Sequence, residues 1–494
     1  MRILMVSSEM SPFAKTGGLA DVVGALPREL ARRGHDVRGV LPLYRTIDRY
    51  QHRLLPLLRR IQVQWGTEEI TGEVMRCSLP TEEEVPVYFI HQNFLFGRGG
   101  LYGENGRDYE DNDKRFAFFC LAALYAAKAL DWPPDIIHLH DWQAALIAPL
   151  LRHHPAICND PFYQKTRVVF TIHNLAYQGI VSSDILPHLR LPWSLCTPDG
   201  MEFHRAVSLL KAGLVYSDAL TTVSPTYASE IQTEENGKGL DGVLRARSGV
   251  LRGILNGIDD EVWNPETDPN LAGKYSVKNL AGKKKCKAEI LKLYGLDPAS
   301  DAPLVGVVGR LDDQKGFDLI KAIMPRLLES GARFILLGTG QAQHEEDFAR
   351  LAAENPAQAG AVIDFNEGLS HMIEAGADIF LMPSRFEPSG LNQLYSMRYG
   401  TPPVVRRTGG LADSVVGVEG SNIESGEATG FVFDLYDPDA LWHSLKQALD
   451  LYTKEPKRWQ QLMKNGMKRD FSWRQSTAAY EEVYQEALDA PPAP

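Results

Sequence analysis

Several familiar signals are scarce in this sequence. No apolar run approaches the length needed to span a membrane. Only five cysteines occur in 494 residues. They are Cys77, Cys120, Cys158, Cys196 and Cys286, odd in number, scattered and without Cys-x-x-Cys spacing, which argues for free thiols in a reducing compartment. Positive charge is in the minority, with 52 basic against 63 acidic residues and a net charge of −11. That balance speaks against nucleic acid as a partner, which would call for a basic stripe. Neither the Gly-x-Gly-x-x-Gly dinucleotide fingerprint nor a Walker loop is present. The apolar segment Ile3–Val6 lies directly behind Met1, with no room for a signal or transit peptide, so a cytoplasmic protein without membrane contact is expected.

What is present is a chain rich enough to build large cores, with 44% apolar and 23% charged residues. Its length predicts two or three domains. The organising stretch is Lys15-Thr16-Gly17-Gly18-Leu19-Ala20-Asp21. Before it, Arg2–Ser7 reads as a buried parallel strand; after it, Val22–Gly34 has helical spacing and a glycine stop. Adjacent glycines let the backbone approach a ligand, and a helix N-terminus with Lys15 beside it suits a phosphate. Taken singly, such a loop is equally a plain βα turn. A second copy, Thr408-Gly409-Gly410-Leu411-Ala412-Asp413, strengthens the functional reading and suggests corresponding places in two halves.

Strand and helix patterns alternate along the chain. Strands are expected at Asp36–Leu41, Val87–Ile90, Asp135–His140, Val168–His173 and Ala219–Val223, with a hairpin around Gln62–Trp65 and Gly72–Cys77 and a helix over Arg115–Leu130. Asn256-Gly257 reads as a tight turn. A second series follows at Leu304–Val308, Arg333–Leu337, Ala361–Asp364, Ile379–Met382 and Pro403–Val405. Two such series, each of roughly 200 residues, predict an α/β protein of two doubly wound parallel-sheet domains facing a central cleft. The expected domains are 1–250 and 251–474, with a C-terminal helix over 475–494 packing back on the first. Ligands of open parallel sheets bind at the carboxyl ends of strands, and each polar motif below stands at such an end.

His138 and His140 share one face of their strand and, with Asp141, could hold zinc; a structural role for the histidines and helix capping for Asp141 are the competing readings. His173 ends a strand ahead of the polar loop Asn174–Gly179, where it suits a sugar hydroxyl or a core hydrogen bond. Arg310 and Lys315 place a planar fork and a point charge on one loop, suited to a diphosphate. Glu387 lies in the turn Ser384–Leu391, where a carboxylate suits sugar hydroxyls and the following amides of Ser389, Gly390 and Leu391 suit phosphate, with helix capping as the plainer role.

Together these motifs resemble the bacterial glycogen synthases and plant starch synthases. The residues that carry the likeness are Ser7-Ser8-Glu9, Lys15–Asp21, His140-Asp141-Trp142, Thr171–Gly179, Val223-Ser224-Pro225, Asn256–Asp259, Arg310-Leu311, Lys315-Gly316, Arg385–Leu391 and Thr408–Leu411. The resemblance implies a two-domain fold of the GT-B type, no metal and no cofactor. It implies transfer of glucose from ADP-glucose to the non-reducing end of glycogen or another α-1,4-glucan, with retention of configuration. It places Lys15, Gly17 and Gly18 near the donor phosphates, Arg310 and Lys315 on the departing ADP, and Asp141, His173 and Glu387 around the transferred glucose. Asn256, Ser389, Gly390, Leu391, Thr408, Gly409 and Gly410 fall on the donor side, and Tyr102 on the glucan acceptor. Related retaining transferases often carry a second glutamate where this chain has Tyr395, a replacement shared by the synthase group. Many bacterial members carry cysteine where this chain has Ser389.

Other readings are a sucrose- or trehalose-forming transferase, a non-catalytic glucan-binding protein on the same fold, and a zinc hydrolase built on His138, His140 and Asp141. The sequence sets no oligomeric state and reads no base in the nucleotide.

Overall fold

The computed structural model describes residues 1–104 and 106–493; Asn105, inside the glycine-rich polar stretch, and Pro494 lie outside the described residues. The chain divides into two compact units. The first holds Met1–Gly257 and the chain from Trp473 onward, the second Ile258–Ser472.

The first unit is built on one sheet. Its strands are β1 (Arg2–Val6), β2 (Asp36–Pro42), β3 (Leu55–Trp65), β4 (Glu68–Ser78), β5 (Pro86–His91), β6 (Ile136–His140), β7 (Arg167–Ile172), β8 (Ala219–Thr222) and β9 (Leu251–Gly253). Their order is β9-β8-β7-β6-β1-β2-β5-β4-β3. Pairing is parallel from β9 to β5, whereas β4 and β3 form the expected antiparallel hairpin at the edge. Helix α1 (Gly18–Arg32) buries Leu19, Val22, Val23, Leu26 and Leu30, an apolar stripe at helical spacing. Helix α2 (Asn112–Ala129) is buried over most of its surface and packs on β2, β3, β4 and β5. The short helix α3 (Asp141–Ala145) follows β6 directly.

The second unit runs β10 (Leu304–Val308), α4 (Phe317–Glu329), β11 (Arg333–Leu337), β12 (Ala359–Val362), α5 (Glu367–Gly376), β13 (Ile379–Met382), α6 (Asn392–Arg398), β14 (Pro403–Arg406), α7 (Gly409–Ser414) and β15 (Phe431–Phe433). All pairs in the sheet β12-β11-β10-β13-β14-β15 are parallel. Apart from Arg333 and Arg406 at strand ends, the strands are apolar runs because both faces are covered. Val305, Val307, Phe334, Leu336, Ile379 and Leu381 enter the core on one side; Leu304, Ile335, Leu337, Phe380 and Met382 enter the core on the other.

Helix α8 (Trp473–Asp489) closes the first unit, packing on α1, β7 and β8. It buries Trp473, Thr477, Tyr480, Tyr484 and Ala487, which recur at three- and four-residue steps. Among the described residues no helix is long and apolar enough to cross a membrane.

Each sheet winds outward in one direction and then in the other. The reversal falls between β1 and β6 in the first sheet and between β10 and β13 in the second. Loops leaving the carboxyl ends of these strand pairs frame a crevice, where ligands of such sheets bind.

Two expectations fail here. The two Thr-Gly-Gly-Leu loops do not occupy corresponding places: one follows the first strand of its sheet, the other follows β14, the fifth strand of the second sheet in chain order. Gly-Gly-Leu marks a strand-to-helix turn, which any βα unit can use. Asn256-Gly257 makes no turn. The Leu255 carbonyl accepts from Ser476 Oγ at 2.6 Å, and the Ile258 N–H donates to the Phe471 carbonyl at 2.8 Å. With its flanks held separately, the pair is drawn out as connecting chain.

Candidate active site

In the first unit the site begins with Glu9, which stands three residues past β1. Its buried carboxylate accepts from the Thr16 N–H at 2.5 Å, the Thr16 hydroxyl at 2.6 Å, the Gly17 N–H at 3.3 Å and the Tyr102 hydroxyl at 2.6 Å. Since the Tyr102 proton goes to Glu9, the Ser8 hydroxyl, 2.8 Å away, donates to the Tyr102 oxygen. Two amides expected to meet a phosphate are therefore engaged by a carboxylate from the same unit. Lys15 Nζ lies 2.7 Å from Asp21 Oδ1 in α1. Gly17 retains its predicted openness, because a Cβ there would meet nothing within 4 Å. The Tyr102 hydroxyl points inward to Glu9 and Ser8, so the ring is the part of this residue left to touch a ligand.

Asp141 sits at the end of β6 in a left-handed backbone conformation, φ +56°. This costs a non-glycine residue on the order of 1–3 kcal/mol, and such strain gathers at functional sites. The residue caps no helix, contrary to the plainer sequence reading. Its Oδ1 accepts the His173 N–H at 2.7 Å, which ties the end of β6 to the end of β7. Burial raises the Asp141 carboxyl to about 7, with the His173 and Asn174 N–H groups opposing and the Glu9 charge reinforcing the rise.

His173 and His140 are joined through His173 Nε2 and His140 Nδ1 at 3.0 Å. Burial holds His173 at about 3 and His140 well below the ordinary imidazole value, so both are neutral and share one proton across that bond. His138 is spoken for elsewhere: Nδ1 meets the Tyr484 hydroxyl at 2.8 Å and Nε2 the Thr171 hydroxyl at 2.6 Å. That leaves it no lone pair for zinc. Among the described residues no group of three or more histidine, cysteine or acidic side chains stands ready for a metal ion.

In the second unit the loops after β10 and β13 meet at the switch point. Lys315 Nζ lies 2.6 Å from Glu387 Oε2, and the Ser384 hydroxyl donates to the same oxygen at 3.0 Å. Glu387 is buried, and its carboxylate caps no helix, since α6 begins five residues later. Arg310 forms an ion pair with Asp312 at 3.2 Å and stays half exposed. Gly316 takes φ +75° and brings its α-carbon under the Pro383 carbonyl, only 2.1 Å from where a Cβ would stand. That contact locks the two loops together.

The second glycine pair also serves packing. A Cβ on Gly409 would stand 2.0 Å from the Glu387 carbonyl, and one on Gly410 2.0 Å from the Ser389 carbonyl. The Gly410 N–H donates to the Glu387 carbonyl at 3.0 Å. The space freed by these glycines is filled by the main chain of the Glu387 turn, and the Thr408 side chain is buried beside them. Asn256, in the first unit, is buried with Oδ1 unpartnered among the described residues.

The structure thus brings Lys15, Gly17, Gly18, Tyr102, Asp141 and His173 to the strand ends of the first sheet, and Arg310, Lys315, Glu387, Ser389, Gly390 and Thr408–Gly410 to those of the second. Sequence reasoning gave no role to Glu9, Ser384 or Gln393, which hold these loops in shape. The signal for Glu9 was available: a carboxylate directly behind a buried strand, facing a glycine loop.

Two doubly wound sheets with charged side chains at their strand ends are the architecture of a glycosyltransferase of the GT-B type, the class to which the matching families belong. Residues 2–246 match the starch synthase catalytic domain, and residues 295–468 match glycosyl transferases group 1. A glycogen synthase of Anaeromyxobacter is 50% identical, over 99% of this chain and 100% of its own length. One from Syntrophotalea carbinolica is 46% identical, over 99% of each. Among solved structures, the catalytic domain of starch synthase IV from Arabidopsis thaliana, bound to ADP and acarbose, superposes with a TM-score of 0.92 at 36% identity, over 99% of each chain. Sucrose-phosphate synthase from Thermosynechococcus elongatus, at 18% identity and a TM-score of 0.61 over 99% of this chain and 100% of its own, shares the fold. The chain belongs to the glycogen and starch synthase family.

Proposed function

We propose that this glycosyltransferase transfers glucose from ADP-glucose to the non-reducing end of an α-1,4-glucan, with retention at the anomeric carbon. The observation that carries the reading is the Lys315–Glu387 pair at the switch point of the second sheet. It sets an ammonium and a carboxylate on the two loops where a nucleotide sugar belongs. The family membership narrows the donor and acceptor, and ADP is the nucleotide bound to the starch synthase IV neighbour.

The second unit takes the nucleotide sugar and the first unit the acceptor. As the glycosidic bond lengthens, positive charge grows on the glucose ring and negative charge on the diphosphate. Arg310 supplies a planar fork to the phosphate oxygens. Lys315 spends one N–H on Glu387 and keeps two for the leaving group. Charges fixed in place before the reaction stabilise the transition state without reorganising, and each such contact is worth ~3 kcal/mol. Glu387, Asp141 and His173 are assigned to the hydroxyls of the transferred glucose, Lys15 and the open Gly17 to the donor phosphates, and the Tyr102 ring to the glucan. Asn256, Ser389, Gly390, Leu391, Thr408, Gly409 and Gly410 line the donor.

Leaving-group charge is met by side-chain cations, so the proposed reaction calls on no metal and no cofactor beyond the donor. Work in the cytoplasm fits five unpaired thiols. The deciding assay gives purified protein ADP-glucose or UDP-glucose with glycogen, in excess chelator. Elongation from ADP-glucose, releasing ADP and undiminished by chelator, is the expected outcome. Turnover with a small-sugar acceptor and none with glycogen overturns the proposal.

A further inference from the structure

Gln393 is fully buried in the first turn of α6, behind the Glu387 turn. Its Nε2 lies 3.0 Å from the Ser389 carbonyl, 3.0 Å from the Gly390 carbonyl and 3.1 Å from Ser414 Oγ. Its Oε1 is buried and unpartnered among the described residues. The amide orientation is fixed by its surroundings. Exchanging O and N would aim an oxygen at two carbonyl oxygens, so the nitrogen must face them.

One amide group therefore draws two successive carbonyls to a single point. In a planar trans peptide the N–H of the next residue points opposite to the carbonyl. With the Ser389 and Gly390 carbonyls turned in toward Gln393, the Gly390 and Leu391 N–H groups turn out the other way. Neither N–H donates a hydrogen bond to any described residue. Gly390, at φ +67°, supplies the left-handed conformation that lets two consecutive N–H groups converge on an anion. A Cβ there would stand 2.4 Å from Gln393 Oε1 and would push that amide from its place.

We infer that Gln393 is a positioning residue that holds the Gly390 and Leu391 N–H groups outward as a nest for the diphosphate, touching no substrate itself. The inference rests on the donor reading above and adds the residue that sets the nest. Ser414 completes the arrangement: its hydroxyl accepts from Gln393 and donates to the Gly410 carbonyl at 2.5 Å, which joins α7 to the same turn.

The test compares wild type with Gln393→Met, which keeps length and loses the donor, and Gln393→Glu, which sets an oxygen against the two carbonyls. Calorimetric titration with ADP, inorganic pyrophosphate and adenosine is the readout. Both variants are expected to bind ADP and pyrophosphate at least tenfold more weakly while adenosine affinity holds. In turnover, KM for ADP-glucose rises and KM for glycogen does not. ADP and pyrophosphate affinities unchanged in Gln393→Met, or an equal loss for adenosine, overturn the inference. Should both variants fail to fold, wild-type protein carrying 15N at glycine and leucine answers the question. Pyrophosphate is expected to shift the Gly390 and Leu391 amide resonances, and unmoved resonances overturn the inference. Pyrophosphate binding in wild type without ADP-glucose turnover would sink the proposed reaction and leave the nest standing.

Discussion

Lys315 and Glu387 stand 72 residues apart in sequence and 2.6 Å apart in space. Each is the chemical focus of its loop, and the pair bridges the two strands between which the second sheet reverses direction. Replacing Lys315 with Ala is expected to lower kcat by roughly 100-fold, the usual consequence of losing one pre-placed electrostatic contact. The far-UV circular dichroism should match wild type. Steady-state kinetics on the folded variant checks this, and a wild-type kcat would remove Lys315 from the site. Glu387→Gln keeps a hydrogen-bonding group opposite Lys315, so its loss of activity separates the carboxylate charge from the packing of the turn.

Asp141 is expected to set the pH dependence of activity. Burial lifts its carboxyl to about 7, so the group ionises as pH rises through neutrality. If the carboxylate is the form that accepts a sugar hydroxyl, kcat/KM climbs through about pH 7 in wild type. Asp141→Asn flattens that limb at a lower plateau. A limb of unchanged midpoint in the variant would assign the titration to another group.

Stability responds to the same cluster in two opposing ways. His138 and His173 are held at about 3, and His140 well below its ordinary value, so all three stay neutral in the folded protein. Their folded values are depressed. The stability they contribute is present above about pH 6.5 and is lost as pH falls toward about 3. Asp141 is raised instead, so its contribution is present below its unfolded value of 3.8 and is lost as pH rises through about 7. Three protons outweigh one, and the midpoint of thermal unfolding is expected to rise between pH 4.5 and 6.5. Asp141→Asn should steepen this rise by removing the opposing titration. Calorimetry across that range reads both slopes, and a midpoint that falls with pH contradicts the neutral-histidine cluster.

The two glycine pairs differ in purpose, and alanine separates them. Gly410→Ala drives a Cβ to 2.0 Å from the Ser389 carbonyl and is expected to cost about 1–3 kcal/mol of stability, as overpacking does. Gly17→Ala meets nothing within 4 Å, and its stability should stay within about 0.5 kcal/mol of wild type. Its kcat/KM is expected to drop at least tenfold if a ligand lies against that backbone. Denaturant midpoints and kinetics on the two variants check both halves of the contrast. Equal stabilities for the two would contradict it.

Much of this molecule was legible before any coordinates. Leu304–Val308 and Ile379–Met382 are strands with the bounds their apolar runs suggest, because a strand covered on both faces has no polar position to blur its limits. The hairpin expected around Gln62–Trp65 and Gly72–Cys77 is present, with longer strands, Leu55–Trp65 and Glu68–Ser78. The positions of Asp141, His173, Arg310, Lys315 and Glu387 in loops that leave buried strands were likewise legible, since such a loop has one surface on which to emerge.

What the sequence determined by itself is the alternation of buried strands and amphipathic helices, and the strand ends at which charge gathers. Both follow from local hydrophobic periodicity. Which groups face one another was decided by tertiary structure alone. Gly409 and Gly410 yield to the Glu387 turn, Asp141 clasps the His173 N–H and Gln393 turns two peptide planes. Each of these is a contact between segments far apart in the chain or a peptide orientation set by a buried donor. No pattern of neighbouring residues encodes such a contact, because its energy exists only once the sheet has brought the loops within hydrogen-bonding distance.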